Sequence, residues 1–65
     1  MTQMTYFLRW MRKNNCVKGE IISSNFDYKL IKESIKRGYV KYNNHKDCYE
    51  LTMKGINMVT MFDKH

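Results

Sequence analysis

Gly38 constrains this chain more than any other residue, because of what stands on either side of it. Before it, Leu30, Ile31, Ser34 and Ile35 fall on one face of a 3.6-residue period, with Lys29, Lys32 and Lys36 in a narrow arc opposite, flanked by Tyr28. After it, Tyr39 to Tyr42 and Cys48 to Leu51 read as two antiparallel strands, joined by the polar run Asn43-Asn44-His45-Lys46-Asp47. Glycine is the usual residue at a helix stop, since it adopts positive φ without penalty. The step Leu51-Thr52-Met53-Lys54-Gly55 then opens another helix, with Thr52 as its cap. Residues 27–62 therefore predict helix, hairpin, helix, and that order excludes most alternatives for a chain this short.

The remaining elements follow from the same kind of evidence. Met4, Phe7, Leu8 and Met11 recur at helical spacing, Thr2 can cap the start, and Asn14-Asn15 suits the end. Cys16-Val17 fits a very short extended piece. Residues 18–24 predict a short second helix anchored by Ile21 and Ile22, and Asn25 supplies a residue tolerant of the left-handed conformation for the following turn. Asp27 is the expected cap of the third helix, and Phe26 before it can pack on Ile31 as a hydrophobic staple. Strand alternation sends Tyr49 and Leu51 inward, and Cys48 and Glu50 outward. The expected fold is mostly α with a small antiparallel β-hairpin, one domain over 1–65: helices at 2–14, 18–24, 27–37 and 52–62, and a hairpin at 39–51.

Composition narrows the partners. The chain has 65 residues, enough for one domain, and a domain this small buries only about 60% of its unfolded surface. With 43% apolar residues it can fold, yet no run approaches the ~18 apolar residues that span a bilayer, nor does the start look like a signal peptide. A cytoplasmic protein without membrane contact is expected. Cys16 and Cys48 are too sparse for a secreted disulfide framework, so both are expected to remain thiols. Twelve basic residues against six acidic give a net charge of +6, which favours polyanionic partners, nucleic acid first. About half of that charge lies outside residues 27–47, so any footprint must arise from placement in three dimensions.

The order of elements, with Lys36-Arg37-Gly38-Tyr39-Val40 and Tyr49-Glu50-Leu51-Thr52-Met53-Lys54-Gly55 as its sharpest parts, resembles the winged helix-turn-helix family of bacterial, archaeal and phage DNA-binding proteins, including MarR and PadR regulators. The resemblance covers residues 4–62. It implies a third helix, 27–37, seated in the major groove of double-stranded DNA, with Tyr28, Lys29, Lys32 and Lys36 facing the duplex. Ser24 and Asn25, in the preceding turn, would lie close to the backbone. Residues 43–46 would form the wing, with His45 and Lys46 on phosphates or in the minor groove. Arg37, Lys41 and Asn44 complete the implied contact set. The long dimerisation helices of MarR and PadR proteins have no counterpart here, so an effector-responsive repressor is not implied. A small transcriptional or replication regulator is, and the wealth of Asn, Lys, Ile and Tyr fits an A·T-rich bacterial or phage genome.

The chemistry of the residues supports contact more than reading. Lysines are point charges suited to phosphate, whereas bidentate base readout wants Arg, Asn or Gln. The third helix offers no Asn or Gln and one terminal arginine, so sequence discrimination is expected to be modest. The plain alternative is that these lysines are simply a solvated face. His45, Cys48, Cys16 and His65 lack metal-site spacing, and no nucleophile is paired with a base; neither metal, cofactor nor enzymatic activity is expected. Tyr6 and Trp10 on the first helix, with Met58, Met61 and Phe62 on the last, exceed what one core requires. They fit either the core of a small domain or a subunit interface of a homodimer. A second functional expectation is a protein-interaction module, such as a phage protein docking on a host complex through Tyr6 and Trp10.

Overall fold

A computed structural model describes residues 2–63, except for the side chain of residue 63. The elements in chain order are α1 (Gln3–Asn14), α2 (Gly19–Asn25), α3 (Tyr28–Lys36), β1 (Val40–Asn43), β2 (Cys48–Leu51) and α4 (Met53–Asp63). The fold is thus mostly helical with one two-stranded antiparallel sheet. Each expected helix is present, with ends moved by at most one residue.

Local signals set most helix ends. The Thr2 hydroxyl accepts from the Thr5 amide at 3.1 Å, and the Asp27 carboxylate accepts from the Lys29 amide at 3.3 Å. At the far end of α3, Gly38 takes φ +80, the Gly38 amide donates to the Ile35 carbonyl, and the Tyr39 amide donates to the Ser34 carbonyl. That pair of bonds is the Schellman closure, and glycine is the residue it favours. Asn15, just past the end of α1, also has a positive φ of 61. Asn25 does not take the left-handed role expected of it. It is the last residue of α2, and its amide donates to the Ile21 carbonyl at 2.7 Å.

The core lies where α1 crosses under the other elements. Phe7, Leu8 and Met11 from α1 meet Val17, Ile22, Tyr39, Val40 and Val59, all buried. Ser34 is fully buried on α3, its hydroxyl donating to the Ile31 carbonyl at 2.6 Å. Two apolar residues expected inside are not. Ile21 is 50% exposed and Ile35 is 43% exposed, because each sits at the margin of its helix's buried arc, where no further layer covers it. Phe26 packs edge-on against Phe7 and Trp10, with ring centroids 4.8 and 5.0 Å apart. It anchors the α2–α3 turn on α1, a longer-range role than the expected staple on Ile31.

The strands pair Val40 with Leu51 and Tyr42 with Tyr49. A third piece, Val17, bridges Tyr49 through two backbone hydrogen bonds of 2.8 and 2.7 Å. Tyr49 and Leu51 face the core, as alternation requires, but Cys48 is buried instead of outward. The reason is a correction to the expected thiols: Cys48 forms a disulfide with Cys16, their Cα atoms 5.5 Å apart. The Val17 bridge brings the two cysteines into register for that bond.

The Leu51-Thr52-x-x-Gly55 step gains a physical explanation. The Thr52 hydroxyl accepts from the Gly55 amide at 3.1 Å and donates to the Gly38 carbonyl, while the Thr52 amide donates to the Tyr39 carbonyl at 2.9 Å. One residue therefore caps α4 and ties it to the end of α3. Gly55 is buried there, and a Cβ on it would collide with the carbonyl of Tyr39, with the Leu51 side chain 3.1 Å away. Helix propensity alone makes Gly→Ala stabilising by ~1 kcal/mol. Overpacking against backbone reverses the sign: Gly55→Ala is expected to destabilise by about 2 kcal/mol, read as a melting midpoint lowered by about 10 °C. An unchanged or raised midpoint contradicts this packing.

Candidate nucleic-acid interface

α3 is held by its turn and by its end, which leaves one face free. Phe26 fixes the entry, Ser34 seats the middle on the core, and the Gly38–Thr52 bond fixes the exit. Tyr28, Lys29, Lys32 and Lys36 are all exposed, Tyr28 at 71%. Among the described residues, no carboxylate lies within ion-pair distance of the three ammonium groups. The arc expected from the sequence is therefore an outward strip of unpaired cations.

Arg37 is not an equal member of the strip. Its Nε donates to Glu33 at 2.8 Å, one helical turn back. The same hydrogen bond holds the Glu33 carboxyl below its usual range and raises the already high Arg37 value. Ser24 and Asn25 are exposed, but they belong to the last turn of α2 and both side chains bond back to it, Ser24 to the Glu20 carbonyl at 2.9 Å and Asn25 to that of Ile21. They offer remaining hydrogen-bonding capacity and no free charge.

The hairpin divides its residues between two sides. Tyr49 lines a groove of about 220 Å³ with Gly19, Ile22, Tyr28, Ile31, Lys32 and Ile35, so this side of the hairpin faces α3. Tyr42 stands beside it, ring centroids 5.1 Å apart. Lys46 lines a groove of about 470 Å³ with Met11, Arg12, Cys16, Glu50, Leu51 and Ile56. Lys41 lies 3.9 Å from Glu50, its partner across the ladder. Lys41 and Glu50 thus lie on the face of the hairpin opposite Tyr42 and Tyr49. Alternation along β1 contains this information, since Lys41 and Tyr42 must point opposite ways.

Asn44, His45 and Lys46 form the exposed hairpin tip. The Asn43 side chain accepts from the His45 and Lys46 amides at 3.0 and 3.3 Å, an Asx-type closure that orders the turn. Asp47 takes φ 52, and its carboxylate accepts from the Tyr42 hydroxyl. That hydrogen bond raises the Tyr42 phenol above its ordinary value, because losing the proton would set two anions together.

Sequence reasoning missed Tyr42 and Ile35 as parts of the exposed surface beside α3. It also gave no role to Lys54, which is tied down: its ammonium donates to the Arg37 carbonyl at 2.9 Å and sits 5.4 Å from the Tyr39 ring centroid. No group of three His, Cys, Asp or Glu among the described residues could hold a metal ion, and His65 lies outside those residues. Nor is any described helix long and apolar enough to cross a membrane.

No protein-family model, curated protein or solved structure matches this chain. The functional reading accordingly rests on geometry and charge.

The other expected contact surface is only partly exposed. Tyr6, Met61 and Phe62 are exposed, while Trp10 and Met58 are half-buried against the core. Tyr6 borders a groove of about 480 Å³ with Gln3, Asn25, Phe26, Asp27 and Leu30.

Proposed function

We propose that this chain is a winged helix-turn-helix protein that binds double-stranded DNA, with α3 in the major groove, as a small regulator of transcription or replication. The observation that carries the reading is the strip of Lys29, Lys32 and Lys36, exposed and unpaired on a helix fixed at both ends. A duplex presents phosphates along both edges of a groove wide enough for one helix. Three ammonium groups on one arc neutralise such phosphates and release their counterions, which drives binding without regard to sequence.

Base readout has fewer agents. Tyr28 and Lys32 stand at the centre of the exposed face, and the lone guanidinium nearby is engaged with Glu33. Discrimination among sequences is therefore modest and draws on DNA shape as well as direct contacts. The hairpin tip, with the exposed His45 and Lys46, serves as the wing and touches the DNA backbone beside the groove that α3 occupies. The decisive experiment is selection from a random duplex pool. Enriched fragments, with or without a short shared motif, support the reading; no retention at low salt removes it.

One observation favours a second reading, a module that docks on another protein. The groove beside Tyr6 is mostly apolar and lies at the α2–α3 turn, next to but distinct from the lysine strip. A partner segment seated there would protect Tyr6 from solvent. Tyr6→Ala then abolishes capture of that partner and leaves DNA retention intact.

A further inference from the structure

We infer that the groove between α2, α3 and β2 takes one unpaired nucleobase, so the preferred ligand is a duplex carrying an extrahelical nucleotide. This rests on the DNA reading and narrows its substrate. The groove has a volume of about 220 Å³, with Ser23 on the α2 side, Tyr28, Lys32 and Ile35 on α3, and Tyr49 on β2. Tyr28 is 71% exposed and Ile35 43%, an apolar surface that water covers at a cost. Tyr42, 46% exposed, extends the aromatic wall, its ring centroid 5.1 Å from that of Tyr49.

The walls are held in place. The Tyr49 ring rests against Gly19, where a Cβ would stand 3.2 Å from it. The Tyr42 hydroxyl is tied to Asp47, and the backbone of Tyr49 is paired with Val17 on one side and Tyr42 on the other. A slot already lined by fixed rings gives up little freedom when a flat ring enters.

Charge and shape choose the occupant. Lys32 belongs both to the groove and to the cationic strip, with Lys29 and Lys36 on the adjoining arc. Among the described residues lining this groove none is acidic, whereas the groove beside Tyr6 holds Asp27 and the one beside Cys16 holds Glu50. A ligand that fits therefore has a flat ring attached to an anion, which describes a nucleotide. Aromatic side chains stack on the face of its base while cations hold its phosphate. Inside an intact duplex both faces of a base are covered by its neighbours. A paired base must first leave its stack, and an extrahelical one has the least to give up, so the groove favours the latter.

Fluorescence anisotropy with three short duplexes tests the inference: one fully paired, one with a single extra deoxyadenosine, and one with an abasic nucleotide in place of that extra residue. The bulged duplex is expected to bind about 10-fold tighter than the paired one, the order that stacking of one base supplies. The abasic duplex is expected to match the paired one. Ser23→Leu fills the mouth of the groove from an exposed helical position and leaves the lysines untouched. It is expected to abolish the preference while paired-duplex affinity and the melting midpoint hold. Equal affinity for paired and bulged duplexes, as when the groove seats a protein side chain instead, overturns the inference and leaves the DNA reading standing. Abasic and bulged duplexes bound alike, or a preference that survives Ser23→Leu, overturn it too. Failure to bind any of the three removes the DNA reading, and this inference with it.

Discussion

Replacing Cys16 and Cys48 with serine, or reducing their bond, is expected to lower the melting midpoint by about 20 °C. The disulfide spans a sequence separation of 32. Cross-linking a loop of that length removes denatured-state entropy worth about 4 kcal/mol. A domain of this size has only ~5 kcal/mol to lose, and each kcal/mol moves the midpoint by roughly 4–8 °C. The closed loop contains α2, α3, β1 and the hairpin tip, which is every residue of the candidate nucleic-acid interface. Reduction therefore loosens that surface first, leaving α1 and α4 as the parts outside the loop. Circular dichroism melts with and without a dithiol reductant check this. A shift under about 3 °C contradicts it, and two reactive thiols in the untreated protein contradict the bond itself.

The second large effect concerns function. Lys32→Glu with Lys36→Glu is expected to weaken duplex binding on the order of 100-fold, while the far-ultraviolet spectrum and melting midpoint stay nearly unchanged. Both side chains are exposed and make no ion pair among the described residues, so their exchange costs the fold little. At the duplex, two attractive charges become repulsive, each change being worth on the order of 1–2 kcal/mol near phosphate. Lys41→Glu with Lys46→Glu, in the hairpin, is expected to weaken binding less than 10-fold. Equal losses for the two pairs contradict the primacy of α3. Unchanged binding in the first pair removes α3 from the interface.

What could be read from the residues alone was local. Thr2, Asp27, Gly38 and Thr52 mark helix ends because each acts within four residues of itself, and all four occupy the structural roles expected of them. The exposure of the α3 lysines was equally legible, since an arc of three ammonium groups opposite an apolar face stays in water. The errors arose where a distant element decides. Ile21 and Ile35 have the composition of core residues, but whether a marginal position is covered depends on what packs beside it. The disulfide joins cysteines in different elements, and the Val17–Tyr49 bridge that aligns them is a single residue on each side. Lys41 was grouped with the α3 lysines by family resemblance, and the pleat of β1 turns it towards Glu50, away from Tyr42.

The strip of cations on α3 is most directly tested by the salt dependence of duplex binding in the wild-type chain and in Lys29→Gln/Lys32→Gln/Lys36→Gln. Each phosphate contact contributes about −0.9 to the slope of log affinity against log salt, so the triple variant is expected to have a slope shallower by about 2.7. Identical slopes in the two proteins, at whatever affinity, contradict the account.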